Sequence, residues 1–393
     1  MKAAAAIAQH RDWKEALAEA LDQASIGEEQ VDLAVIFASA EYEAGLSEMI
    51  AQAQQALKAR VLIGCSGQGI IGPSKEVEGE PALAIIVLSL PEAVLTPLHL
   101  TQGELEACES AEDTRRLAKV PQGEAVAWFL FADPFTIDAE RLLDTFSGAY
   151  PGTPLMGGMA SGNPQARKTH LFLNGQVVED GAVALALGGP IRIRSIVSQG
   201  CNPIGRPWTI TGAQGQIIKS IAGRPALDVL METVRELPFD LQQRAQNNLL
   251  VGLAMDEYRD DFGRGDFLIR NLLGADREGG TIAVSALPRE GQTIQFQLRD
   301  AAAADEDLRL LLEAEKATLQ GEESLAALLW SCNGRGVGLF GAPDHDAKAV
   351  AEILGSIPLA GFFCNGEIGP VGSKNFLHGF TASMALFTSV TPP

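Results

Sequence analysis

Apolar runs of strand length alternate along this chain with stretches whose apolar residues return every three or four positions. Val31–Ala38, Arg60–Gly64 and Leu83–Leu90 are such runs, the pattern of strands covered on both faces. Leu46, Met49, Ile50, Ala53 and Leu57 form a helical stripe between the first two, and no helix separates the second from the third. The order predicts a β-α-β-β unit: a right-handed parallel crossover and then a further strand, in a mixed sheet. Ala125–Phe131, Ile137–Phe146, Thr153–Met156 and Ala182–Leu187 repeat it, after an acidic connection from Thr101 to Gln122 that is expected to be exposed. Leu325–Ser331, a helix with Ala347, Val350, Ala351 and Leu354 on one face and Asp344 as its cap, Ile357–Phe363 and Phe380–Phe387 repeat it again.

Other segments are less regular. Ile7, Trp13, Leu17 and Leu21 predict an amphipathic helix over residues 3–24, inside a helical N-terminal segment 1–30. Ile191–Val197 reads as a strand, Gly200–Gly205 as a turn and Trp208–Ile221 as a strand or hairpin. Arg224-Pro225 opens a helix whose stripe is Ala226, Leu227, Leu230, Val234 and Leu237. Leu249–Met255, Phe267–Leu272, Thr281–Ser285 and Gln292–Leu298 are expected strands, with a turn at Gly274–Gly280, and a helix follows at Asp305–Leu319; the region is readable as a degenerate copy of the unit. With a boundary near Gly223, the expected domains are 31–223 and 224–393. The fold class is α/β: repeated β-α-β-β units forming mixed sheets covered by helices, in two pseudo-duplicated halves.

The repeat is sharpest where each central strand ends in glycines. Leu62, Gly64, Gly69, Ile71 and Gly72 align without a gap on Leu359, Gly361, Gly366, Ile368 and Gly369, and Leu155, Gly157 and Gly162 fall in the same register. Gly67-Gln-Gly-Ile-Ile-Gly72 satisfies G-x-G-x-x-G, but residues 73–81 are too short and too rich in Pro and Gly to open the helix a dinucleotide needs. Gly336-Val-Gly-Leu-Phe-Gly341 also matches, yet Pro343 and Asp344 delay its helix beyond the last glycine. Both read better as tight turns.

Such turns at strand ends offer converging N–H groups and close approach to a ligand. Their polar residues are Cys65, Ser66, Gln68, Ser161, Asn163, Cys332, Asn333, Arg335, Cys364, Asn365 and Glu367. Arg335 presents a charged fork to a ligand carboxylate, or pairs with Glu367 or another acid. Glu367 receives an ammonium group, or caps neighbouring N–H groups. Together they suit a zwitterion such as an amino acid. Cys364, Glu367 and His378 raise the alternative of a cysteine–histidine nucleophile, against which no third orienting group stands at a diagnostic spacing. His378 otherwise reads as a turn histidine before the last strand.

Composition narrows the partners. A net charge of -20 argues against nucleic acid and anionic membranes as ligands, and no apolar run approaches the length of a membrane helix. The short apolar start meets Gln9, His10, Arg11 and Asp12 at once and so does not read as a signal peptide. Five scattered cysteines without a C-x-x-C pair fit a reducing cytoplasm rather than a disulfide framework or a zinc site. His10, His99, His170, His345 and His378 show no two-ligand spacing, which leaves a single axial haem ligand as the one metal option without a spacing signature.

At Val61–Gly72, Gly200–Gly205, Gly223–Leu227, Cys332–Gly336, Gly361–Pro370 and His378–Thr381 the chain resembles the FIST-domain family, a FIST N half followed by a FIST C half. The resemblance implies an intracellular sensory module for small ligands, with amino acids proposed. Some bacterial members resemble haem-based nitric oxide sensors, and eukaryotic relatives join the module to an F-box. No kinase, methyl-acceptor, cyclase or F-box segment is visible here, so the expected output runs through a separate partner. The site expected from the turns is Cys65, Ser66, Gln68, Asn333, Arg335, Cys364, Asn365, Glu367 and His378, with no metal, and an enzyme using Cys364 or Glu367 as the lesser alternative.

Overall fold

Three successive stretches of this chain build the same arrangement of strands. The computed structural model describes residues 1–163, 166–257, 259, 261–319 and 324–389. The first repeat runs β1 (Lys2–Ala8), α1 (Trp13–Gln23), β2 (Leu33–Ser39), α2 (Leu46–Leu57), β3 (Val61–Gly67), β4 (Gly69–Gly72), β5 (Lys75–Glu78) and β6 (Leu83–Ser89). The second runs β7 (Val94–Leu100), α3 (Gln102–Ala107), α4 (Ala111–Ala118), β8 (Ala125–Ala132), α5 (Ala139–Ala149), β9 (Leu155–Met159), β10 (Leu171–Leu173), β11 (Gln176–Val178) and β12 (Ala182–Gly188). The third opens with β13 (Arg192–Gln199) and is then interrupted.

The interruption contains β14 (Cys201–Gln214), β15 (Ile217–Ile221), β16 (Arg224–Pro225), α6 (Ala226–Arg235), α7 (Phe239–Asn248), β17 (Leu249–Ala254), β18 (Phe267–Asp276), β19 (Thr281–Val284) and β20 (Thr293–Arg299). The third repeat resumes with α8 (Ala301–Thr318), β21 (Ser324–Cys332), the single turn α9 (Val337–Phe340), α10 (His345–Leu354) and β22 (Leu359–Cys364). It closes with β23 (Glu367–Val371), β24 (Lys374–His378) and β25 (Thr381–Thr388). Two units result: Met1–Val197 with Leu308–Leu377 and the stretch from Thr381, and Ser198–Asp307 with His378–Phe380.

In the first unit each repeat lays down a parallel pair, β2–β3, β8–β9 or β21–β22. An antiparallel return, β6, β12 or β25, lies on the first strand of that pair. The strand after each glycine turn leaves its own repeat: β4 pairs with β22, β10 with β3 and β23 with β9. Three six-stranded sheets share one order: β1-β6-β2-β3-β10-β11, β7-β12-β8-β9-β23-β24 and β13-β25-β21-β22-β4-β5. The expected β-α-β-β units and mixed sheets are therefore present, arranged with pseudo-threefold symmetry. Helices cover them: Met49 and Ile50 of α2 join a core with Ile36 and Leu62, Phe146 of α5 joins Trp128 and Leu155, and Val350 of α10 joins Leu329 and Leu359.

The recurring glycine has one cause. Gly64, Gly157 and Gly361 lie in register beside Ile36, Leu130 and Leu329, and a Cβ at any of them would fall on that neighbour's carbonyl oxygen. One residue further along each first strand stands an aromatic: Phe37, Phe131 or Trp330. Phe37 meets Phe131 at 5.4 Å between centroids and Phe362 at 4.9 Å, and Phe131 meets Trp330 at 6.3 Å. These rings lie in the one core cluster shared by all three sheets.

The second unit is a different structure. Its strands run β14-β20-β17-β18-β19-β15, all antiparallel, and β15 pairs back onto β14 to close a ring of six. Ile210, Ile218, Val251 and Phe296 fill it together with Val229 and Leu230 of α6. It is not a degenerate copy of the β-α-β-β unit, since among its described residues every strand pairing is antiparallel. The sequence boundary at Gly223 falls in the turn between β15 and β16 of this unit.

Two local expectations are corrected. Residues 2–8 form a strand, because each pairs with β6 in unbroken register, which overrides the helix propensity of alanine. Gly200–Gly205 is not a turn: Cys201–Ile204 pair with β20, and the register shift between Ile204 and Trp208, with Gly205 at φ 62°, is a bulge. Apolar spacing suggested the helix, and glycine with proline suggested the turn; pairing across the ladder overrides both.

Candidate functional site

In the first unit the three glycine turns meet. Gln68, Ser161 and Asn365 hold the same place in the aligned repeats, and each backbone N–H reaches toward another repeat. Ser161 donates to Ser66 O at 3.2 Å and Asn365 donates to Met159 O at 3.1 Å. The third link passes through a side chain: Gln68 N donates to Ser161 Oγ at 2.7 Å, and that hydroxyl donates to Phe363 O. Asn365 Nδ2 donates to Ala160 O at 3.1 Å, and Asn333 Nδ2 donates to Asn365 Oδ1 at 2.8 Å. Ser66 is wholly buried, its hydroxyl donating to Ser161 O and accepting from His170 N. Cys65 and Cys364 are buried too, and burial pushes both thiols well above their ordinary range. Of the expected site residues in this ring, Gln68 and Asn365 are the exposed ones.

Beside the ring a cleft of about 840 Å³ opens between the segment after β2, the turn at Gln68, and a wall with Gly162, Asn163, Lys168, His170, Val177 and Glu179. Its charged groups are organised. Lys168 Nζ lies 2.9 Å from Glu43 Oε1 and 2.9 Å from Glu179 Oε1, with Glu41 on the same wall. His170 Nε2 stands 3.9 Å and 3.6 Å from those two oxygens. This imidazole is 4% exposed and its Nδ1 has no hydrogen-bond partner. Burial, and then the nearby ammonium of Lys168, lower its pKa. A neighbouring pocket of about 360 Å³ shares Asn163 and Lys168 and adds Phe135, Asn365 and Thr169, whose buried hydroxyl is also unpartnered. Glu43, Lys168 and Glu179 were not singled out from the sequence, since they sit on connecting segments with no periodic or spacing signal, and His170 was considered there only as one of five scattered histidines.

Arg335 lies elsewhere, in a knot that leaves little room. Its Nε and one terminal nitrogen donate to the two Asp346 oxygens, both at 2.8 Å, and the residue is 1% exposed. Of its two readings, pairing with a buried acid is the arrangement observed, and the acid is Asp346 rather than Glu367. Ser331 Oγ donates to Asp346 Oδ2 at 2.8 Å, and His345 Nδ1 lies 2.9 Å from Oδ1. Burial alone would raise the Asp346 pKa, but the guanidinium holds it far below the usual carboxylate range. Glu76 reaches the same knot, accepting from Ala347 N at 2.9 Å through Oε1 while Oε2 has no partner. Burial, then the Asp346 charge, push it up to about 8. Asp344, the expected cap of α10, instead accepts from Glu76 N at 2.8 Å.

Glu367 is wholly buried and accepts from Thr381 N at 3.1 Å and Thr381 Oγ1 at 2.8 Å. Burial pushes it up to about 7 against the pull of those donors. Arg335 and Glu367 thus answer to different partners. His378 is buried and belongs to the second unit with Gly379 and Phe380. Among the described residues no group of three His, Cys, Asp or Glu side chains is arranged to hold a metal ion, and no helix is long and apolar enough to cross a membrane.

A pseudo-threefold α/β body with a polar cleft at its strand ends, carrying an inserted antiparallel ring of strands, defines the class. The chain matches the FIST N domain over residues 32–224 and the FIST C domain over residues 226–370, and it belongs to the FIST family, a sensory family. It is 41% identical over 355 residues to an uncharacterized protein of Mycobacterium tuberculosis, covering 90% of this chain and 91% of that one. An uncharacterized protein of Mycobacterium bovis is 39% identical over 378 residues, 96% of each chain. An uncharacterized protein of Methanocaldococcus jannaschii is 27% identical over 173 residues, 43% of this chain and 31% of that protein.

Proposed function

We propose that this chain is a sensory module that takes a small zwitterionic ligand, such as an amino acid, in the cleft at Lys168, and that a separate partner reads the bound state. The reading rests on the ion triad Glu43–Lys168–Glu179 on an open wall. A ligand ammonium replaces Lys168 between the two carboxylates, and the released Lys168 takes the ligand carboxylate, so charge stays paired throughout. The exposed amides of Gln68 and Asn365 supply neutral hydrogen bonds at the rim. Exchange of a pair between Glu43, on the segment after β2, and Glu179, beyond β11, couples occupancy to two repeats at once. With none of the five cysteines in a disulfide, a reducing cytoplasm suits the protein.

A thermal-shift screen tests this. An amino acid at a hundred times its dissociation constant adds about 2.7 kcal/mol of stability. Its separate amine and acid halves are expected to add far less, and Lys168→Ala to abolish the response. An unchanged response in that variant, or none to any amino acid, removes the reading. Haem, the other ligand the family raises, does not fit this cleft. His170 Nε2 is flanked by two carboxylates, and Glu41, Glu43 and Glu179 would face the propionates rather than offer an apolar slot.

A further inference from the structure

Two Cys-Asn-Gly segments, Cys332–Gly334 and Cys364–Gly366, end neighbouring strands, and the ligand reading leaves their cysteines unused. Cys332 and Cys364 are partners in the parallel β21–β22 register, each the last residue of its strand. In-register neighbours on a sheet point to the same face and lie about 4.8 Å apart at Cα, inside the range a disulfide spans. Beyond them Asn333 N donates to Cys364 O at 3.0 Å, and the two asparagine side chains are hydrogen-bonded, so the register holds past the cysteines. Cys332 is partly exposed and its Sγ accepts from Gly334 N at 3.4 Å. Cys364 is buried, its Sγ 3.3 Å from Ser331 O, and a Cβ on Gly158 would come within 2.9 Å of that sulfur. Glycine there leaves the sulfur space to turn. Glu367, wholly buried, keeps Oε1 without a donor at full hydrogen-bond geometry. The two thiols face its carboxyl and favour the ionised form.

We propose that Cys332 and Cys364 form a reversible peroxide-responsive disulfide, with Glu367 as the proton acceptor for the buried thiol. The Cys332 thiolate attacks a peroxide oxygen; the O–O bond breaks, hydroxide leaves, and a sulfenic acid forms. Cys364 gives its proton to Glu367 and attacks that sulfur; the S–O bond breaks, and the leaving hydroxide takes that proton from Glu367 and departs as water. The two thiols together lose two protons and two electrons, the first hydroxide takes up the proton shed by Cys332, and hydrogen peroxide becomes two waters. A dithiol reductant reverses the change by thiol exchange. Because Asn365 follows Cys364 and lines the smaller pocket, the redox state is felt at the edge of the cleft.

The test uses the full chain, natively folded, with hydrogen peroxide. Intact mass is expected to fall by two hydrogens, and a peptide map to join the Cys332 and Cys364 peptides, both reversed by dithiothreitol. Cys332→Ser, at a partly exposed position, is expected to keep the fold and lose the mass change. Glu367→Gln keeps an acceptor for Thr381 and is expected to slow bond formation about a hundredfold, the low end for loss of a general base, at unchanged melting temperature. Gain of oxygen at Cys332 without a joined peptide overturns the proposal, as does a joined pair that includes Cys65 instead. Equal rates for the Glu367→Gln variant and the parent overturn the role of Glu367.

Discussion

Two places in the first unit are built alike and used differently. In one, the segment after β2 faces the hairpin β10–β11; in the other, the segment after β21 faces the hairpin β4–β5. Glu179 and Glu78 both stand four residues past a two-residue turn in their hairpins. Glu179 holds Lys168 across an open cleft, whereas Glu78 accepts from Val337 N at 2.8 Å, against Gly336. The second segment folds the extra turn α9 into the space, stacks Phe340 on His345 at 3.4 Å, and sets Arg335 5.2 Å from that Phe340 ring. Two residues past the turn, Val177 lines the cleft where Glu76 enters the knot. Symmetry of the backbone sets where a cavity can exist, and the residues of one connecting segment decide whether it does.

The comparison predicts that removing a cation costs stability in the knot and ligand response in the cleft. Arg335→Ala strands the buried Asp346 charge and is expected to cost about 3–5 kcal/mol, read by denaturant unfolding. Arg335→Lys is expected to recover little, because the two-point contact is lost. A parent-like unfolding curve for Arg335→Ala would break the contrast. Next in size, Gly64→Ala, Gly157→Ala and Gly361→Ala should each cost well over ~1 kcal/mol and by similar amounts, since each Cβ meets a backbone carbonyl. A loss confined to one of the three would show that the repeats are not mechanically equivalent.

Glu76 gives a smaller, pH-dependent effect. Its folded carboxyl keeps a proton up to about 8, whereas in the unfolded chain it ionises near the ordinary 4.5. The folded state therefore binds the extra proton across that interval, and its stability falls as pH rises from 4.5 through 8. Glu76→Gln is expected to flatten this slope, raising the melting temperature more at pH 8 than at pH 5. Smallest of all on stability, Lys168→Ala should leave the melting temperature close to the parent's while removing the ligand response, because its pairs are solvent-exposed.

Much of the first unit was legible in the sequence because its determinants are local. A strand buried on both faces reads as a continuous apolar run, and a glycine forced by a neighbouring carbonyl recurs at Gly64, Gly157 and Gly361. The strand exchange was not legible, because β4, β10 and β23 are short and nothing in them says which repeat they join. The second unit escaped for a related reason: β14 bends through a bulge at Gly205 and pairs with both β20 and β15, which a linear reading splits into a turn and a hairpin. At the site, the turn residues were found because glycine marks them. Lys168 and Glu179 were not, since a surface ion pair has no signature until the fold brings its halves together.

The exchanged hairpins also set a timetable for synthesis. The first sheet needs nothing beyond β11, so its last strand emerges once Val178 has left the ribosome. The sheet built around β8 and β9 must wait for β23 and β24, and β4 and β5 lie idle until β22 arrives nearly three hundred residues later. Until β22, β23 and β24 are made, then, the nascent chain carries two unfinished sheet edges that those strands cover. The Pro358–Gly369 stretch is the latch that closes both, one through β22 and one through β23.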